Sequence, residues 1–246
     1  PQHSFKMSTN GLIAKLVRND TTRRTQLINQ IRTYCDTIFA REVQQAQLTP
    51  LIDRMETLLV GLGVPNAVAQ IAVVRQQLRL AASAGYLCAG LPETRPVYVL
   101  KDDTSECLHA SNTEGIPAGQ LNPNNFEIYH RPLLDNNDPS DLWRFSTLGN
   151  GKSATNQAYG RLLHASTTFT TAQGHKYLYT CPTTNNDHAE EFTITPVDTP
   201  DSFTFSGYLE LASVRTGLGV SYGTETTPGG RPRIYQDTGG SKLYLY

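Results

Sequence analysis

A four-residue phrase returns at a fixed interval through the second half of this chain. Leu108-His109-Ala110-Ser111 recurs as Leu163-His164-Ala165-Ser166 and, eroded, as Leu218-Gly219-Val220-Ser221, 55 residues apart in both steps. A second phrase follows each copy: Ile128-Tyr129-His130, Leu178-Tyr179-Thr180 and Ile234-Tyr235-Gln236. Each copy closes on an aromatic in a short apolar run: Leu142-Trp143-Arg144-Phe145, Glu191-Phe192-Thr193-Ile194 and Leu243-Tyr244-Leu245-Tyr246. A fixed period implies one supersecondary unit used repeatedly, because a single copy cannot bury its own apolar face.

The local grammar of this half is that of strands. Short β-type runs occur at Val97–Leu100, Phe126–Tyr129, Tyr177–Tyr179, Phe203–Phe205, Tyr208–Leu211 and Lys242–Tyr246. Clusters of Asn, Asp, Gly and Pro separate them, as in Asn122-Pro123-Asn124-Asn125, Gly149-Asn150-Gly151 and Pro228-Gly229-Gly230. Such residues favour turns because Gly takes positive φ and Asn and Asp bond their own backbone. Gly151-Lys152-Ser153 lacks the upstream glycine of a phosphate-binding loop and reads as a hairpin turn.

Residues 8–86 read as helix instead. Leu27, Ile31, Tyr34 and Ile38 recur at spacings of four, three and four, an apolar stripe on one helix face, with cap residues at Asn19–Thr22. Thr49-Pro50 reads as a second helix start, with Thr49 as cap and Gly61-Leu62-Gly63 as the stop. Pro65 opens a third helix with a stripe of Val68, Ile71, Val74, Leu78 and Ala81, ending near Gly85. A shorter helix at Leu12–Val17 precedes them. The expected fold is α+β in two domains, an α-helical bundle over 1–92 and an all-β domain over 93–246. The helical stripes suit either a self-contained bundle or a surface for homo-oligomerisation.

Lys plus Arg number 21 and Asp plus Glu 22, a net charge of −1, so no basic excess favours nucleic acid as a partner. No apolar run approaches the roughly 20 residues of a membrane-spanning helix. Pro1–Lys6 precede Met7, which reads like a natural start, and no signal-peptide pattern follows. A cytoplasmic or non-classically secreted protein is expected. The cysteines, Cys35, Cys88, Cys107 and Cys181, make neither a disulfide scaffold nor a paired metal motif, so no metal or cofactor is expected. No hydrolase, zinc-protease or dinucleotide fingerprint occurs, and the protein reads as a non-enzyme.

Val97–Phe145 runs through a strand, a polar turn, Cys107-Leu108-His109-Ala110, a long loop, an Ile-Tyr strand, an Asx-rich loop and Asp141-Leu142-Trp143. This resembles one repeat of the ricin-B-type β-trefoil, whose signature is a C-L-D-V-like strand followed by a Q-x-W motif. The resemblance covers the β half, as three repeats of about 95–145, 146–194 and 203–246, and none of the helical half. It implies a β-trefoil with one shallow sugar pocket per repeat, built from a polar strand residue, an aromatic ring and amides. The first pocket would use His109, Tyr129, Asn136, Asn137 and Asp138, and the second His164, Tyr179, Asn185, Asn186 and Asp187. The third would use Tyr235 and Asp237. The departures are specific. The family's sugar-binding Asp is replaced by His109, His164 and Gly219, and the Gln of the closing motif by Asp141, Glu190 and Lys242. Each repeat retains at most one half of the family's disulfide, Cys107 in the first and Cys181 in the second.

The resemblance points to a lectin-like protein with carbohydrate or a glycoprotein as partner, the helices serving oligomerisation or coupling. Two alternatives stay open. One is a β-trefoil that binds protein, as an interaction module or protease inhibitor, through the Asn112–Asn125 loop and the Pro228–Pro232 segment. The other is a two-part toxin with the trefoil as its cell-binding module.

Overall fold

A computed structural model of the chain describes all residues but 1–19, 38–39, 92, 94, 103, 117–123, 135, 183–186 and 198–205. The expected helix at Leu12–Val17 and the Phe203–Phe205 run lie outside the described residues. The described chain forms a short helical N-terminal region and a large β-rich region. It divides into two compact units. The first takes the described residues of Pro1–Leu91, Asp198–Tyr208 and Leu245–Tyr246, and the second those of Pro92–Val197 and Leu209–Tyr244.

In the first unit, α1 (Thr21–Thr37) begins where the Asp20 carboxylate accepts from the Arg23 backbone N–H at 3.1 Å. Helix α2 (Arg41–Val43) runs through a π-turn (Gln44–Leu48) into α3 (Thr49–Gly61). Thr49 is therefore no N-cap, and the helix does not start afresh there. Pro50 explains the detour: it has no N–H for the carbonyl one turn back and its ring crowds that carbonyl, which a widened turn accommodates. Gly63, at φ +69, takes the left-handed conformation that ends the run. Helix α4 (Ala67–Ala89) packs against both α1 and α3.

Helix α4 buries Ala67, Ile71, Leu80, Ala82 and Tyr86, whereas Val68 and Val74 of the expected stripe are exposed. The buried Ser83 hydroxyl donates to Gly207 O at 2.6 Å and accepts from Leu245 N at 2.9 Å, holding three separate segments of this unit together.

Among the described residues the β-rich region has twelve strands: β1 (Val97–Lys101), β2 (Glu106–Gly115), β3 (Phe126–Pro132), β4 (Leu142–Leu148), β5 (Gly151–Asn156), β6 (Leu162–Thr170), β7 (Lys176–Cys181), β8 (Phe192–Pro196), β9 (Leu209–Ser213), β10 (Gly219–Thr226), β11 (Pro232–Asp237) and β12 (Leu243–Leu245). Strands β1, β4, β5, β8, β9 and β12 pair in sequence, and β12 returns to β1, closing a ring with no open edge. Hairpins β2–β3, β6–β7 and β10–β11 join pairwise through β3, β7 and β11. A closed barrel capped by three mutually paired hairpins is the architecture of a β-trefoil.

The periodic phrases fall where this topology needs them. Leu108, Ala110, Leu163, Ala165 and Val220 alternate inward along the first strand of each hairpin, and Ile128, Leu178 and Ile234 answer from the second, all fully buried. The three closing aromatics, Trp143, Phe192 and Tyr244, are fully buried as well. The Trp143 indole N–H donates to Leu108 O at 2.9 Å, tying the closing motif to the opening one. Gly149, at φ +53, and Asn150 turn β4 into β5, so the hairpin turn lies just before the Gly-Lys-Ser segment, whose residues open strand β5 rather than forming the turn itself.

Candidate functional site

Cross-strand register sets the chemistry of each hairpin. His109 faces Tyr129 across β2–β3, and His164 faces Tyr179 across β6–β7. In both pairs the imidazole leans on the phenol ring, with centroids 4.5 Å apart. Each imidazole Nδ1–H then donates to a buried carboxylate of the closing motif: His109 to Asp141 at 2.7 Å, and His164 to Glu190 at 2.8 Å. These are the two motif positions where the chain departs from the ricin-type pattern, and both departures occur together. In both hairpins a strand donor meets a closing-motif acceptor.

The third hairpin lacks the pair and lacks the space for one. A Cβ on Gly219, at the histidine position, would stand 2.6 Å from Gly240 Cα. Lys242, at the carboxylate position, is 3.4 Å from Asp102.

The surroundings of the first two pairs differ. In the first, Arg131 Nε and Nη2 lie 3.1 and 2.8 Å from the two Asp141 oxygens, and Nη2 also lies 2.5 Å from Asp138. Burial pushes the nearby Cys107 thiol up, and the Asp141 charge adds to this. In the second, Cys181 stands at the register position of Arg131, two residues past the tyrosine of the pair. Its Sγ lies 3.7 Å from His164 Nδ1 and 3.8 Å from Glu190 Oε1. Burial raises the Tyr179 phenol, with Cys181 and Glu190 contributing.

Asp138 and Asp187 match across these two groups as turn-capping residues. Asp138 accepts from Ser140 N at 2.9 Å and Asp187 from Ala189 N at 3.1 Å. Partial burial opposes ionisation of both, but these N–H groups, with Arg131 and Arg215, hold both carboxyls below their usual range.

The residues expected to line sugar pockets thus lie as follows. His109, Tyr129, His164 and Tyr179 are buried and mutually engaged. Asp138 and Asp187 cap turns and pair with arginines. Asn136 and Asn137 are exposed, and Asn137 N donates to the Tyr98 hydroxyl at 3.1 Å. Tyr235 is half-buried and stacks on His175, with centroids 4.1 Å apart. Asp237 accepts from Thr238 N at 2.6 Å. Asn185 and Asn186 lie outside the described residues. Sequence reasoning missed Arg131 and Arg215. The available signal for Arg131 was a basic residue one position past Ile-Tyr-His, with three acidic residues, Asp135, Asp138 and Asp141, within the next ten.

No protein-family model matches the chain, and no curated protein resembles it in sequence. Its β-rich region is similar to solved structures. One is an SDF2-like protein from Arabidopsis thaliana, at TM-score 0.50 and 10% identity over 61% of this chain and 91% of that one. Another is a Caenorhabditis elegans protein of unknown function, at TM-score 0.48 and 14% identity over 62% and 93%. A third is the designed threefold-symmetric protein ThreeFoil, at TM-score 0.45 and 14% identity over 61% and 96%. At these identities the likeness shows fold alone, and the fold is the β-trefoil that the strand pairing already describes.

Proposed function

We propose that this chain is a non-catalytic binding protein, a β-trefoil interaction module carried on a helical region that associates with a second copy. In this reading the trefoil has three repeats, about 95–145, 146–194 and 203–246, and the helices form a small bundle. One observation carries the assembly role. Helix α3 has no buried residue, yet Leu51, Met55 and Leu58 along it and Leu62 just past its end are 65, 40, 57 and 77% exposed. Their spacing of four, three and four is that of a helix-pairing seam, and such a patch marks an interaction surface. Pairing would make two weakly binding trefoils act together through raised effective concentration. The absence of hydrolase, zinc-protease and nucleotide motifs supports a non-enzymatic role. Sedimentation equilibrium of the full chain tests the reading. Self-association that is abolished by Leu51→Glu/Leu58→Glu supports it, and a monomeric wild type at high micromolar concentration overturns it.

A protein or glycoprotein surface fits the trefoil better than a free sugar, because the histidine and tyrosine of the first two ricin-type pockets are spent internally. A lectin reading is favoured by the exposure of Asn136 and Asn137 beside the Tyr98 hydroxyl. A glycan array on the full chain and on Asn136→Ala/Asn137→Ala decides it. Selective glycan binding lost in the double variant would make the first repeat a sugar site, and no binding by the wild type would remove the lectin reading.

A further inference from the structure

His164, Cys181 and Glu190 bring an imidazole, a thiol and a carboxylate to one buried point from three separate segments: β6, β7 and the turn before β8. Nδ1, Sγ and Oε1 form a triangle with sides of 3.7, 3.8 and 2.8 Å. A tetrahedral zinc ion with the usual bond lengths needs N–S and S–O edges of about 3.6 Å and an N–O edge of about 3.4 Å. Two edges are already in place. The third needs the imidazole and carboxylate to part by roughly half an ångström, replacing their mutual hydrogen bond with bonds to the metal.

The first hairpin fills the corresponding position differently. There the buried carboxylate Asp141 meets a guanidinium, Arg131, which supplies the positive charge. In the second hairpin the same register position holds Cys181, a metal ligand in place of a cation. Glu190 is almost wholly buried beside His164, and metal coordination is one of the ways in which a buried carboxylate is stabilised. We propose that His164, Cys181 and Glu190 bind one zinc-type divalent ion at the triangle that their ligand atoms form. Thiolate and imidazole select a borderline or soft metal over calcium or magnesium. Binding releases the Cys181 thiol proton to solvent and moves the His164 proton from Nδ1 to Nε2, so that Nδ1 offers a lone pair. The ion then ties β6, β7 and the approach to β8 together.

Cobalt(II) titration of the chelator-treated full chain under nitrogen tests the proposal. The expected result is a saturable 1:1 complex with a thiolate-to-cobalt charge-transfer band and the visible bands of tetrahedral cobalt, bleached by zinc(II). Cys181→Ser abolishes the charge-transfer band. Glu190→Gln weakens cobalt binding at least tenfold. Cys107→Ser leaves both properties unchanged. Trp143 fluorescence reports folding in every variant. A wild type with no charge-transfer band overturns the proposal, as does a band that persists in folded Cys181→Ser, since the metal would then sit on another thiol. If Cys181→Ser does not fold, wild-type affinity in folded Glu190→Gln overturns it equally.

Discussion

His164 Nδ1 lies 2.8 Å from Glu190 Oε1, repeating across 55 residues of sequence the contact that His109 makes with Asp141. The two contacts share geometry but differ in support. Asp141 also receives a guanidinium on both oxygens, whereas the position of that arginine is a cysteine beside Glu190. The difference makes the two histidines unequal in their contribution to stability.

In metal-free protein, His164→Ala is expected to cost about 1–3 kcal/mol, because it removes the imidazole that bonds the buried Glu190 carboxylate. His109→Ala is expected to cost less, because Arg131 still engages Asp141. Urea unfolding of both variants checks this, and equal losses would contradict it.

Glu127 gives the fold a pH dependence near neutrality. This fully buried carboxylate on β3 accepts from Arg233 Nη2 at 2.8 Å. Burial nevertheless pushes it from the ordinary 4.5 up to about 7, with Arg233 opposing and the Glu114 charge adding. A carboxyl that protonates more readily when folded favours the fold fully below its unfolded value. That contribution fades as pH climbs through the folded one. Glu127→Gln is therefore expected to flatten the stability profile between about pH 4.5 and 7. Thermal unfolding of both proteins across that range measures it, and parallel profiles would rule the effect out.

Gly219→Ala is expected to destabilise by about 1–3 kcal/mol, because its methyl would enter the backbone of Gly240. Gly61→Ala is the control, since a Cβ there meets nothing within 4 Å and α3 gains helix propensity. Denaturant midpoints of the two variants should move in opposite directions.

Trp143→Phe keeps most of the buried volume but leaves Leu108 O without its indole donor. The expected loss is about 1–3 kcal/mol, against about 3–5 kcal/mol for Trp143→Ala. Far-UV circular dichroism melts distinguish the two, and an unperturbed Trp143→Phe would show that the ring alone matters.

The β-region was legible in the sequence because its signals recur. Leu108, Ile128 and Trp143 each have counterparts at matching positions, and shared burial is the physical reason for recurrence. The His–carboxylate pairs were half legible. Both substituted positions were visible, but their partnership spans 32 and 26 residues and depends on how each hairpin folds back on its closing motif. The helical region was less readable. A stripe such as Val68, Ile71 and Val74 says that a face is apolar without saying which part meets a neighbour, and only Ile71 is buried. The π-turn at Gln44–Leu48 left a single local clue, Pro50, which reads equally well as a first-turn proline.

The ring of strands closes only when β12 reaches β1. On a ribosome, that strand emerges after the eleven others have been made. Until then β1 and β9 each present a bare row of amides and carbonyls, the kind of edge that recruits other chains. The joining contacts also span most of the β-region in sequence, and contacts of such long range slow folding. The nascent protein is therefore most vulnerable to aggregation just before β12 emerges, and Leu243–Leu245 act as the latch that ends that interval.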